Sequence, residues 1–292
     1  MNYSRLRNSL GATTPGKSIE VDGINLTYND EGEGLTIICL HAIGHGAADF
    51  QKLQTNLVHN YRVIAIDFPS HGNSDDDYQP VSLQRYTDLL TLFIDQLKLD
   101  KFVLIGNSIG GSVALQYTFL CPELVQGLIL ANPGGLDPMD RVKRIFTSFM
   151  TNLFSQGLKK SWWYKKGFND YYRYLVLPSD QAREQREKII ASGEEIALIL
   201  TQAWQSFSNI ASDLRYIAPS IKCPVLFTWA SQDKIVQLGR CLPTIKQFPN
   251  MTLKLFSCGH SPHLEAPEEF AIAVINFLEV FESHAATTTT NS

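Results

Sequence analysis

The sequence has no uninterrupted apolar run approaching the ~20 residues that cross a bilayer, so no membrane-spanning helix is expected. It has no apolar stretch near its start either. Met1 to Gly16 carries Arg5 and Arg7 in polar surroundings, which argues against a secretory leader. A basic excess is also missing. With 25 Lys and Arg against 29 Asp and Glu, the formal net charge is −4, so nucleic acid is not an expected partner. Cysteine is sparse. Cys39, Cys121, Cys223, Cys241 and Cys258 are odd in number and scattered, most in or beside apolar runs, as buried reduced thiols are. What remains is 292 residues, 44% hydrophobic and 18% charged, enough for one large domain or two modest ones. A soluble, cytoplasmic globular protein is the expectation.

Short β-branched runs alternate with helical patterns along the chain. Ile37-Ile38-Cys39-Leu40, Val103-Leu104-Ile105 and Leu128-Ile129-Leu130 are apolar on both faces, as central parallel strands covered by helices are. Leu83–Leu97, Ser112–Leu120 and Phe270–Phe281 carry helical spacing. Such alternation is the α/β signature. It breaks between about Pro133 and Pro219, where aromatic-rich helical sequence, a charged stretch and an apolar helix read as an insertion. The expected layout is an N-terminal flexible segment (1–16), a core from 17–133 and 219–283, a helical cap over 134–218 and a disordered tail over 284–292. The cap would enter after the sixth strand of a mostly parallel sheet.

Gly11-Ala12-Thr13-Thr14-Pro15-Gly16-Lys17-Ser18 fits the phosphate-binding P-loop pattern by letter. That loop works by following a buried strand and opening a helix. Here polar residues precede it and strand-like Ile19-Glu20-Val21 follows, so the match is set aside. Gly106-Asn107-Ser108-Ile109-Gly110-Gly111 is different, because it joins a buried strand to an apolar helix. A nucleophile on such a sharp turn needs tiny residues two before and two after it. Gly106 and Gly110 supply them, and the helix N-terminus favours developing negative charge.

With these residues the chain resembles the α/β-hydrolase family over roughly Ile19 to Phe281. His41-Ala42-Ile43-Gly44 matches the family's oxyanion loop, with Ala42 where glycine is usual. Asp67-Phe68-Pro69-Ser70-His71-Gly72-Asn73-Ser74 is similar to its next conserved loop. Asp233, after an apolar strand, and His260, after Gly259, match the acid and the base. The resemblance implies an α/β-hydrolase fold with a Ser108, Asp233 and His260 triad. Backbone N–H groups of Ile43 and Ile109 would hold the oxyanion, with no cofactor and no metal. Serine is a poor nucleophile alone. His260 would take its proton, and Asp233 would fix the imidazole tautomer.

Other residues stand in reserve. Asp137 and Asp213 are alternative acids. His263 forms His-x-x-His with His260, although the segment reads as a loop and a structural role fits it better than metal binding. His41, Asn107, Arg186, Trp162 and Trp163 are candidate substrate contacts, with Arg183 an alternative to Arg186. From Arg141 to Arg173 eight basic residues face one acid, Asp170, giving +7 within a chain of −4. Tryptophans and tyrosines are interleaved there. Core packing with solvated lysines explains this segment, and attraction of an anionic substrate or weak contact with an acidic lipid surface is the alternative.

Three functions follow. The foremost is hydrolysis of a carboxylic ester or thioester in a small-molecule substrate through an acyl-enzyme on Ser108. The second is carbon–carbon bond hydrolysis of vinylogous diketo acids. Asn132-Pro133-Gly134-Gly135-Leu136 and the spacing of His41, Gly44, Gly46 and Ala47 are similar to that subfamily, and Arg186 would be its cap arginine. Against it, Ser261 stands where that subfamily has tryptophan after the histidine, and Ile43 where its oxyanion loop has serine. The third is a ligand-sensing receptor on the same fold.

Overall fold

The structure, a computed structural model, describes residues 6–12 and 16–289. Eight strands form one sheet: β1 (Lys17–Val21), β2 (Ile24–Glu31), β3 (Thr36–Leu40), β4 (Arg62–Ile66), β5 (Phe102–Asn107), β6 (Val125–Ala131), β7 (Val225–Ala230) and β8 (Met251–Phe256). Their order is β1-β2-β4-β3-β5-β6-β7-β8. β1, β2 and β4 pair antiparallel, and every pairing from β4 through β8 is parallel. The runs that read as apolar on both faces are the buried centre: β3 and β5 are buried along their whole length, and β6 everywhere but at half-buried Gln126.

Side-chain parity divides the core into two layers. Ile37, Cys39, Val103 and Ile105 pack with Phe50, Leu53, Val274 and Leu278, which bring helices α1 (Gln51–Leu57) and α10 (Pro267–Thr289) to one face. Ile38, Leu40 and Leu104 pack with Leu89, Phe93 and Val113 of α2 (Leu83–Leu97) and α3 (Ile109–Leu120) on the other. Ser82 caps α2, its hydroxyl accepting the Arg85 N–H at 3.1 Å.

Between β6 and β7 the chain runs through α4 (Arg141–Leu158), α5 (Tyr164–Tyr171), α6 (Arg183–Ala191) and α7 (Ala197–Ser206). The aromatics of this insertion form its own core: Phe154 meets Phe168, Tyr171 and Trp204 with ring centroids 5.2 to 6.3 Å apart. After β7 come α8 (Leu238–Ile245) and the short α9 (Pro262–Glu265).

Both ends of the chain carry structure beyond the expected core. Residues 6–12 of the segment expected to be flexible are docked: Leu10 is buried and the Ala12 N–H donates to Asp67 Oδ2 at 2.8 Å. Residues 1–5 and 13–15 of that segment, and with them part of the P-loop match, lie outside the described residues. At the other end, α10 continues to Thr289, through most of the expected tail. Extending a nucleated helix adds a hydrogen bond per residue, and Ala285 and Ala286 favour it. Residues 290–292 lie outside the described residues. Among the described residues, no helix is long and apolar enough to cross a membrane.

Candidate active site

Ser108 sits between the end of β5 and the start of α3 with φ 55° and ψ −117°, a conformation that costs a non-glycine residue of order 1–3 kcal/mol. The surrounding glycines make it possible. A Cβ on Gly106 would lie 2.4 Å from the Gly110 carbonyl oxygen, and one on Gly110 would lie 2.2 Å from that of Leu40. The turn is therefore packed to the backbone on both sides, and Ser108 is presented at the N-terminus of α3.

The candidate base and acid come from the loops after β8 and β7. His260 Nδ1 lies 2.7 Å from Asp233 Oδ2. Asp233 is held from three directions: Oδ1 accepts the N–H groups of Ile235 and Val236 at 2.7 and 3.1 Å, and Oδ2 also accepts Asn132 Nδ2 at 2.5 Å. A carboxylate so placed accepts Nδ1–H, which leaves Nε2 as the ring's proton acceptor. The His260 N–H donates to the Val176 carbonyl at 2.8 Å, so the insertion also anchors this histidine.

Ser108, His260, Ile43 and Ile109 line one cavity of about 290 Å³, closed from above by Phe146, Tyr171, Tyr172 and Trp204 of the insertion. Gly44, with φ 78°, donates its N–H to His71 Nε2 at 2.9 Å and fixes the loop that carries Ile43. Ala42 keeps a negative φ, which explains why alanine serves where the resembling family has glycine.

The other candidates fall elsewhere. His41 is fastened at both ring nitrogens, Nδ1 to the Ala42 carbonyl at 2.7 Å and Nε2 to the Phe68 N–H at 3.0 Å. Burial pulls its pKa down to about 4, so it is a neutral strut and not a substrate contact. Asn107 ties the site together instead of lining it. Its Nδ2 donates to the carbonyls of Ala131 and His260 at 3.0 and 3.2 Å, and its Oδ1 accepts the Ser261 hydroxyl at 3.0 Å. Arg186 is buried, but Nη1 is spent on the carbonyls of Leu177 and Ser179 at 2.6 and 2.9 Å, and the side chain does not line the cavity. Arg183 pairs with Asp180 at 2.6 Å. Trp162 is 93% exposed, and neither it nor Trp163 reaches the cavity: at this end of the insertion the core places are taken by Tyr164 and Phe168.

Asp137 and Asp213 are engaged with cations. Asp137 meets Lys143 at 2.7 Å and Asp213 meets Arg215 at 2.7 Å, so neither competes for His260. Among the described residues, Lys143 alone of the eight basic residues lines the cavity, where Lys234 and Arg240 join it. His263 stacks on Phe50 at 4.9 Å, and no cluster of three metal-ligating side chains occurs among the described residues. Glu265 receives the N–H groups of Ser261 and Ser179, both at 3.2 Å, and burial raises its pKa. Asn132 went unrecognised as a site residue. It sits in the left-handed region with φ 46°, and its Oδ1 accepts the Ala230 N–H at 2.9 Å while Nδ2 reaches Asp233.

The model of the alpha/beta hydrolase family matches residues 37–274. The chain belongs to the alpha/beta hydrolase family. Within the family it is similar to 2-hydroxy-6-oxo-6-phenylhexa-2,4-dienoate hydrolase of Burkholderia cepacia, 28% identical over 275 residues, which cover 88% of this chain and 92% of that one. A 2-hydroxy-6-oxononadienedioate/2-hydroxy-6-oxononatrienedioate hydrolase of Comamonas testosteroni is 27% identical, over 93% of this chain and 99% of its own. By fold the chain is similar to a thermophilic esterase from Thermogutta terrifontis, with a TM-score of 0.75 at 20% identity, covering 91% of this chain and 98% of the other. An esterase from Exiguobacterium antarcticum gives a TM-score of 0.77 at 20% identity, over 90% and 99%. The alpha/beta hydrolase fold expected from the nucleophile turn and its companion loops is thus the one found.

Proposed function

We propose that this alpha/beta hydrolase cleaves a carboxylic ester or thioester through an acyl-enzyme on Ser108. The observation that carries the reading is the 2.7 Å Asp233–His260 pair beside a serine on a strained strand-to-helix turn, with Ser108 and His260 facing one cavity. His260 Nε2 takes the Ser108 proton as Oγ attacks the acyl carbon. The N–H groups of Ile43 and Ile109 hold the oxyanion, and His260 returns the proton to the departing oxygen or sulfur. Water then attacks the acyl-enzyme by the same route. Arg186, the expected cap arginine, is turned onto two carbonyls, so a grip on a diketo-acid carboxylate would fall to Lys143, Lys234 or Arg240, which line the cavity.

Carbon–carbon hydrolysis is the second reading, favoured by the names of the relatives in Burkholderia cepacia and Comamonas testosteroni. A panel of p-nitrophenyl esters of rising chain length, run beside 2-hydroxy-6-oxo-6-phenylhexa-2,4-dienoate, separates the two. Turnover of the dienoate with inert esters would overturn the first. Cytoplasmic residence belongs to the same proposal and is supported by five free cysteines, three of them buried. So does contact with an acidic lipid surface. Val142, Ile145, Phe149 and Trp162 are exposed beside Arg141, Arg144, Lys159 and Lys160 on the insertion.

A further inference from the structure

A second carboxylate–imidazole pair stands at the same cavity. His45 Nδ1 lies 2.6 Å from Asp49 Oδ2, and both side chains are buried. The loop after β3 builds the pair and is itself pinned. The Gly44 N–H reaches His71, and the Ala47 N–H donates to Asp67 Oδ1 at 2.7 Å. From the insertion, Gln185 Nε2 donates to Asp49 Oδ1 at 2.7 Å. Around the imidazole stand Asp49 from its own loop, His41 at the end of β3, His263 of α9 on the far side of Asp49, and Tyr172 with ring centroids 5.9 Å apart.

Burial alone would raise the Asp49 carboxyl, but His45 and His263 more than offset it and hold the group well below the usual carboxylate range. Asp49 is therefore the acceptor for Nδ1–H, and Nε2 is the ring nitrogen left over by the pair. No hydrogen-bond partner for that Nε2 occurs among the described residues, and the ring lines the cavity with Ser108 and His260. As a mere fastening such a pair is costly, since two apolar side chains would fill the space as well. His45 stands two residues from Ile43, whose N–H the proposed mechanism sets against the acyl oxygen. Its imidazole lines the cavity that the acyl group would enter.

We propose that His45, oriented by Asp49, binds a hydroxyl group on the acyl part of the substrate, so that the cavity selects hydroxyacyl esters. The inference rests on the ester-hydrolase reading and names its substrate class. A hydroxyl donates to Nε2, whereas a plain alkyl chain leaves that nitrogen unpaired once water is displaced. A carboxylate at the same place faces the Asp49 charge behind the ring.

The test compares kcat/KM for p-nitrophenyl 3-hydroxybutanoate, butanoate and hemisuccinate in wild type, His45→Gln and Asp49→Asn. Wild type should favour the hydroxybutanoate over the butanoate by about tenfold or more. Both variants should bring that ratio close to one, and Asp49→Asn does so by freeing the tautomer while keeping the side-chain volume. Equal kcat/KM for the two esters in wild type would overturn the proposal whatever the variants do. So would a hemisuccinate preference that His45→Gln abolishes, since it would make His45 an anion ligand. If folded wild type cleaves none of the three, the ester reading fails by itself. Calorimetric binding of the intact hydroxy and plain esters to Ser108→Ala then still decides, equal affinities overturning the role of His45.

Discussion

Replacing Asp233 by asparagine tests the geometry more sharply than removing it. The carboxylate accepts four hydrogen bonds: the N–H groups of Ile235 and Val236 on Oδ1, and Asn132 Nδ2 and His260 Nδ1 on Oδ2. The asparagine carbonyl can keep the first two, so its amide nitrogen must take the place of Oδ2. It then meets two donors. His260 can escape by moving its proton to Nε2, which turns the nitrogen that should deprotonate Ser108 into a donor. Asn132 can escape by flipping, which takes its oxygen away from the Ala230 N–H. The fold survives because each conflict has an exit, at about 1–3 kcal/mol for the orphaned N–H. The chemistry has none. A wrong tautomer in this role costs about 10⁴ in kcat, close to 5.5 kcal/mol of transition-state stabilisation. Asp233→Asn and wild type should be compared by burst and steady-state kinetics with a p-nitrophenyl ester, alongside thermal unfolding. A folded variant within tenfold of wild-type kcat would refute the assignment of Asp233 as the acid.

Three further outcomes follow from the same contacts. His41 titrates at about 4 in the folded chain against about 6.5 when unfolded, so between these values the folded state binds fewer protons. Its contribution is therefore fully present above about pH 6.5 and is lost as pH falls toward 4, roughly 3 kcal/mol in all. In urea titrations across that window, His41→Gln should show a shallower loss than wild type, and parallel curves would refute the strut role. Arg186→Gln should lower kcat/KM equally for neutral and carboxylate-bearing substrates, because the guanidinium holds Leu177 and Ser179 near the His260 loop. A loss confined to carboxylates would return Arg186 to the substrate. Vesicles containing phosphatidylglycerol should cosediment the protein at low salt and release it at about 0.5 M, whereas phosphatidylcholine vesicles should not bind it. Equal behaviour on both lipids would leave the basic face of the insertion as solvated surface.

Much of the fold, and the turn that carries the candidate nucleophile, could be read from the chain because the signals are local. Gly106 and Gly110 mark a turn whose glycines abut backbone, and the double-faced apolar runs are the strands buried on both faces. The positions that misled depend on contacts that no local pattern announces. Asn132 looks like an ordinary turn residue, and its partner lies 101 residues on. Arg186 offered a cation to the cavity, but the direction of a guanidinium depends on which carbonyls the neighbouring loop exposes, here those of Leu177 and Ser179. Trp162 and Trp163 belong to the same aromatic run as Tyr164 and Phe168, and composition cannot tell which members of such a run turn inward. The helical continuation to Thr289 was hidden by a threonine run of low helix propensity, whereas helix growth depends on what precedes it.

Whether Ser108 is an activated nucleophile can be read directly. The direct measurement is intact-mass and peptide mapping of the protein after brief exposure to a fluorophosphonate at neutral pH. One adduct on Ser108 is expected, formed quickly at neutral pH. It should be much slower in folded His260→Gln, which cannot accept the serine proton, and absent from folded Ser108→Ala. Folded wild-type protein that takes up no label, or labels at a residue other than Ser108, would contradict the claim, and the unlabelled outcome would favour a ligand-sensing role for the fold.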